Sequence, residues 1–267
     1  MARNDTARTA AAAAHVLRSA GTIGEPTPGR NLRVRMAGHI GIVVCSAEGA
    51  ALCYRTICIE GERWFAPDGH PEVSTHTQRY AKYDRMLERD DWPAIAELML
   101  DSARKLAKIG ASFLICPDNT IHEALPLIEA ASPLPWLKIT DAVAEDSAKK
   151  GFRRIGLLGT RWTIQGRSYP AAFAARSVEL VRPSDEEREE VNRIIMRELV
   201  YGHRKPEAIA YCQHVIERMR DSGCDAVALA CTELPLILSD VNSPLRTLDS
   251  TRILARAALA RAGQDLD

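Results

Sequence analysis

Two short segments of the chain carry residue types able to move protons in a confined space. Asp118-Asn119-Thr120-Ile121-His122 comes just after the apolar run 112–116, and Cys231-Thr232-Glu233 comes directly after the apolar run 226–230. Each polar segment sits where a buried strand gives way to a turn, and each precedes residues able to begin a short helix. A thiol so placed lies near backbone N–H donors and the positive end of a helix, an arrangement that favours the thiolate. A carboxylate in the matching turn occupies the mirror-related position. Proton transfer at one carbon needs an acid/base group on each side of a small cavity, one removing a proton while the other delivers one to the opposite face. Cys231 and Asp118 are the candidates for that pair. Asn119, Thr120 and Thr232 supply uncharged donors for a substrate carboxylate, with Ser46 as a further contact from the first turn of the chain. His122 and Glu233 lie beside the two acid/base candidates and are placed to tune them.

The elements that must position these turns repeat along the chain. In the first half, the apolar run Ile40–Val44 predicts a buried strand. A helix capped by Asp91, with Pro93 in its first turn, follows and ends at Gly110, and a second strand covers 112–116. A further strand is expected over 134–139. In the second half, 154–159 reads as a strand ending in a Gly-Thr turn. Ser184 with Glu187 forms a capping-box pattern that opens an amphipathic helix, 206–221 forms another, and 226–230 is the strand that delivers Cys231. Eight residues separate Gly110 from Asp118, and eight separate Gly223 from Cys231. From Gly41 to Gly110 is 69 residues, and from Gly156 to Gly223 is 67. Strands alternating with helical patterns imply parallel sheets covered on both faces, with ligands bound beyond the carboxyl ends of the strands. The spacing thus points to an internal duplication with one site between two similar halves.

Composition narrows the classes. The 267 residues balance 35 Lys and Arg against 35 Asp and Glu. A neutral chain without a basic block lacks the charge that nucleic acid or a membrane surface requires. No apolar run approaches the roughly 20 residues of a spanning helix, and no signal-peptide core stands at the start. Seven irregularly spaced cysteines read as free thiols of a reducing compartment, so the expectation is a cytoplasmic protein. No Cys-x-x-Cys pair or spaced histidines suggest a metal site, and no Gly-x-Gly-x-x-Gly or Gly-Lys-Ser/Thr pattern suggests a phosphate-binding loop. Cys45, Cys53, Cys58, Cys212 and Cys224 read as packing residues, and Cys116 as a buried structural thiol. The run Asp185–Glu190 reads as a solvated helix start.

The segments Ile115-Cys116-Pro117-Asp118-Asn119-Thr120-Ile121-His122 and Ala230-Cys231-Thr232-Glu233-Leu234-Pro235 resemble the aspartate/glutamate racemase superfamily. Its pattern is Cys-Asn-Thr-x-His in the first half and Gly-Cys-Thr-Glu in the second. The segments 156–163 with Tyr169, 198–202 and 248–251 fit as well, so the resemblance covers roughly 38–262. It implies an α/β fold of two similar lobes, each a parallel sheet flanked by helices, related by a pseudo-twofold axis with the active site between them. The expected division is 38–139 plus 245–267 for the N-terminal lobe and 140–244 for the C-terminal lobe, with 1–31 a flexible tail. It further implies a racemase or epimerase of an amino acid or related small carboxylic acid, an isomerase that needs neither cofactor nor metal, and a homodimer.

Three departures from the family pattern bear on substrate and mechanism. Asp118 stands where the family has its first catalytic cysteine. The first turn reads Cys45-Ser46-Ala47-Glu48-Gly49 in place of a glycine-rich sequence. The segment 70–89 has no clean match to the arginine that grips a side-chain carboxylate, leaving Arg79 and Arg85 as substitutes, while Arg161 matches the family position that supplies a cation to the distal carboxylate. Two other readings stay open on these residues: a single-cysteine decarboxylase or cis–trans isomerase of a small dicarboxylate, and a non-catalytic binding protein for a small acid.

Overall fold

A computed structural model describes residues 38–65 and 69–264, and among these described residues lie eight strands and ten α-helices. In chain order these are β1 (Ile40–Val44), α1 (Ala47–Glu60), α2 (Glu62–Phe65), β2 (Val73–Thr77), α3 (Tyr80–Leu87), α4 (Trp92–Lys108), β3 (Phe113–Ile115) and β4 (Trp136–Leu137). The second half continues with α5 (Ile139–Lys149), β5 (Arg154–Gly159), α6 (Arg161–Gln165), α7 (Ser168–Ala174), β6 (Glu179–Val181), α8 (Asp185–Arg197), α9 (Pro206–Asp221), β7 (Ala226–Ala230), β8 (Arg246–Asp249) and α10 (Ser250–Gln264). The segment 1–31, expected to be a tail, lies outside the described residues.

The strands form two four-stranded sheets of the same order, β2-β1-β3-β4 and β6-β5-β7-β8. Every pairing is parallel. The duplication expected from the glycine spacing is therefore present as two copies of one topology. The lobe boundary needs one correction: Arg246–Asp249 hydrogen-bonds to β7 and completes the second sheet, so residue 245 does not begin a return to the first lobe. Only α10 makes that return, packing on α1 as well as on α5.

Strand alternation explains how both faces of each sheet are covered. Ile40, Ile42, Val44, Phe113 and Ile115 face a central core that also takes Ile155, Leu157, Ala226, Ala228 and Ala230 from the other sheet. Side chains from α1, α5, α7 and α10 fill the space, so one apolar core is common to both lobes. The opposite faces carry separate cores: Val43, Leu114 and Cys116 against α3 and α4, and Leu158, Val227 and Leu229 against α8 and α9. Period-two side-chain direction on buried strands produces this division.

Local sequence sets the helix starts. Asp91 accepts from the Ala94 N–H at the head of α4. Ser184 and Glu187 make the reciprocal capping box of α8. Gly110 and Gly223 hold φ of +94° and +88°. This left-handed backbone, which glycine adopts without strain, turns α4 and α9 back into β3 and β7. No helix among the described residues is long and apolar enough to cross a membrane.

Candidate active site

In-register parallel strands place the chemistry. On the first sheet Ile40 pairs with Phe113 and Ile42 with Ile115. Carrying that register past the strand ends sets Cys45 beside Asp118. On the second sheet Ile155 pairs with Ala226 and Gly159 with Ala230, which sets Thr160 beside Cys231. The four residues occupy matching positions at the carboxyl ends of the two central strand pairs. They converge on a narrow chamber of about 40 Å³ that is also lined by Ser46, Asn119, Thr120, Thr232 and Glu233. Its remaining wall is formed by Tyr80, Leu87, Trp162, Ile195, Met196 and Val200.

Asp118 is half-buried at the start of the 3-10 helix Thr120–Leu127. One carboxylate oxygen accepts from the Ile121 N–H at 3.2 Å, so the residue does cap that turn. Burial pushes its carboxyl up to about 6; the backbone N–H of Ile121 opposes, the Glu233 charge adds, and the Cys45 thiol, donating a hydrogen bond to it, opposes again. Cys45 packs in the apolar cluster behind the first sheet, as expected, and also lines the chamber beside Asp118. Cys116, two residues before Asp118, is fully buried in the apolar cluster behind the first sheet.

Cys231 is 7% exposed, and its Sγ donates to Glu233 Oε2 at 3.0 Å. The Thr232 hydroxyl donates to the same oxygen at 2.7 Å. Burial and the Glu233 carboxylate push the Cys231 thiol well above the usual range. This corrects the expectation of a stabilised thiolate: the desolvation and the adjacent acid outweigh the nearby helix end, and Cys231 rests as S–H.

The other candidates divide between chamber and scaffold. Ser46 caps α1 and lies 3.4 Å from the Thr232 hydroxyl, joining the two lobes. Thr120 shares hydroxyl contacts with Thr160 at 3.0 Å and Thr163 at 3.4 Å, again across the lobes. The side chain of Asn119 is largely committed, accepting from the Tyr169 hydroxyl at 2.6 Å and donating to Ser250 Oγ at 3.1 Å, which leaves one amide N–H. His122 is not a proton carrier of the chamber. Its Nδ1 donates to the Asp118 carbonyl at 2.6 Å while Nε2 accepts from the Ile139 N–H at 3.1 Å. Burial holds it neutral, its pKa lowered to about 4. It pins the Asp118 turn to the start of α5.

Arg161 is likewise outside the chamber. It lines an adjoining outer cavity of about 320 Å³, and its guanidinium carbon stands 4.5 Å over the Trp162 ring. Arg79 and Arg85 are exposed and line neither cavity. Tyr80, Trp162, Met196 and Val200 line both cavities and form the neck between them. The Trp162 indole N–H donates to Asp90 at 3.0 Å, fixing the ring. Among the described residues no cluster of three His, Cys, Asp or Glu side chains is placed to hold a metal ion.

Sequence reasoning thus passed over Cys45, Tyr80, Thr160, Trp162 and the apolar wall. For Cys45 and Thr160 the available signal was their position directly after an apolar strand, equivalent in the two halves. Gly49 also matters here. A Cβ at this position would lie 2.3 Å from the Pro117 carbonyl oxygen and 2.5 Å from Thr232 Cγ2, so only glycine lets α1 start between both turns.

Fold and site together define a two-lobed α/β protein with an acid and a thiol at equivalent strand ends of a shared chamber. Comparison with known proteins agrees. The chain belongs to the Asp/Glu/hydantoin racemase family, whose model matches residues 42–258. It is similar to the broad specificity amino-acid racemase RacX of Bacillus subtilis, 24% identical over 180 residues that cover 66% of this chain and 75% of the relative. Among solved structures it resembles a candidate Asp/Glu racemase from Yersinia pestis, with 29% identity, a TM-score of 0.78 and coverage of 84% of this chain and 99% of that one. It also resembles an aspartate racemase homologue from Pyrococcus horikoshii, with 30% identity, a TM-score of 0.72 and coverage of 85% and 99%.

Proposed function

We propose that this chain racemises or epimerises an amino acid or a related small carboxylic acid by proton transfer at the α-carbon, with Asp118 and Cys231 as the two acid/base groups. The observation that carries the reading is the convergence of these two side chains, from equivalent ends of duplicated sheets, on one chamber. Two proton sites on protein side chains suffice for the reaction, so the proposal needs no cofactor.

The two groups rest in complementary states. With a pKa of about 6, Asp118 is ionised near neutral pH and is a stronger base than an ordinary carboxylate. Cys231 holds its proton, hydrogen-bonded to Glu233. In one direction the C–H electron pair stays on the substrate as an enolate while Asp118 takes the proton. The α-carbon then takes the Cys231 proton on its opposite face, leaving a thiolate. In the reverse direction that thiolate, made strongly basic by its burial beside Glu233, removes the α-proton and Asp118 returns one. The hydroxyls of Ser46, Thr120 and Thr160 provide neutral donors for the substrate carboxylate, whose bonds strengthen as enolate charge grows, while the Thr232 proton is held by Glu233.

The test is α-deuterium wash-in from D2O, followed by NMR for both enantiomers of a panel of amino acids. The expected result is deuterium incorporation with loss of optical purity, reduced by about 100-fold or more in Cys231→Ser. Absence of incorporation with every acid, or an unchanged rate in the variant, would remove the basis of the reading.

A further inference from the structure

We infer that the substrate is an amino acid with an uncharged, medium-to-large apolar side chain, an inference that takes the racemase reading above as its starting point. Among the described residues, no arginine, lysine or histidine lines the inner chamber. Its charged groups are two acids, Asp118 and Glu233, and the rest are neutral hydroxyls, thiols, one amide and an apolar wall. A zwitterion with a neutral side chain suits this lining: its ammonium faces the acids, and its carboxylate meets the hydroxyls. A second carboxylate, as on aspartate or glutamate, would be buried near like charges with no cation to pair it, which is strongly unfavourable.

The cation expected from the sequence does not fill that gap. Arg161 lies in the outer cavity, stacked on Trp162. Arg193, in the same cavity, is bound to Glu190 and Glu198. The three arginines lining the outer cavity, Arg161, Arg193 and Arg197, face three acids, Asp84, Glu88 and Glu189, so it offers no net positive field.

Size and direction follow from the neck. The chamber is too narrow for more than the reacting centre, and its open end leads past Leu87, Trp162, Met196 and Val200 toward the larger outer space. A side chain leaving the α-carbon along this route buries apolar atoms against apolar atoms, a favourable exchange for leucine, methionine or phenylalanine.

Binding and turnover test this separately. Calorimetry on Cys231→Ala, in which reaction does not intervene, should show methionine or leucine binding at least 100-fold more tightly than aspartate or glutamate. In the wild-type protein, kcat/KM for deuterium wash-in should show the same order. Met196→Arg, which adds a cation at the neck, should lower that ratio by at least 10-fold. Equal or tighter binding of aspartate or glutamate, or wash-in confined to them, overturns the inference while leaving the racemase reading intact. Selective binding of apolar amino acids without any wash-in supports the inference and overturns the racemase reading.

Discussion

Asp118→Asn separates the chemical role of this side chain from its structural one. The substitution keeps the shape and the oxygen that caps the Ile121 N–H but removes the ability to take a proton. Loss of a positioned general base costs about 10²- to 10⁴-fold in rate, so wash-in should collapse for the enantiomer whose proton faces Asp118. Stability should move the other way. The carboxyl is raised from the usual 3.8 to about 6, so the folded protein binds this proton more readily than the unfolded chain does. Folding stability therefore falls as pH rises from about 4 through about 6, and the cost is in full force above that window. At about 1.4 kcal/mol per pH unit the upper bound is about 3 kcal/mol, which solvent at the chamber mouth reduces. Asn carries no such penalty. Denaturant unfolding should find the variant more stable than wild type by about 1–2 kcal/mol at pH 8 and equal to it at pH 4. A variant that exchanges both enantiomers at the wild-type rate, or that is less stable at pH 8 than at pH 4 relative to wild type, would refute the reasoning.

Three further outcomes follow from the same geometry. Cys45→Ala removes a donor to the ionised Asp118, so the acidic limb of the kcat/KM profile, which falls as Asp118 is protonated, should shift to higher pH; an unmoved limb would show that the two groups are uncoupled. His122→Ala strands the buried Ile139 N–H and should lower unfolding free energy by about 1–3 kcal/mol, with His122→Asn recovering part of it in the same denaturant titration. Gly49→Ala forces the start of α1 off the Pro117 carbonyl and the Thr232 methyl group and should cost about 1–3 kcal/mol in a thermal melt together with most of the wash-in rate; wild-type behaviour would mean that α1 yields freely.

The central strands and both polar turns were legible because buried parallel strands are unbroken apolar runs, and a run ending in charged or hydroxyl residues marks a strand's carboxyl end. Asp118, Thr120, Cys231, Thr232, Glu233 and Ser46 all reach the chamber for that reason. The short strands β2, β6 and β8 were not legible. Val73–Thr77 reads VSTHT, Glu179–Val181 ELV and Arg246–Asp249 RTLD, and all three lie at sheet edges where one side needs no partner and polar residues are tolerated. Cys45 was hidden because a cysteine after an apolar strand has the composition of a packing residue; only the 40-to-113 register brings it beside Asp118. Arg161 directly follows a chamber threonine, yet the opening turn of α6 carries its side chain outward over Trp162. His122 is adjacent to Asp118 in the motif but four residues along a helical turn points its ring back to a backbone carbonyl.

The hydroxyl and amide contacts between the halves constrain how a ligand enters. Ser46 with Thr232, Thr120 with Thr160, Asn119 with Tyr169, and Glu123 with the Arg167 and Ser168 N–H groups all stitch the two sheets along one seam. Spreading the sheets apart would sacrifice all of these at once and split the core they share. Tyr80 of α3, 38% exposed at the neck, takes part in none of them. The acid and the thiol are therefore clamped at one separation by the seam itself, and the side chains at the neck stand outside that clamp.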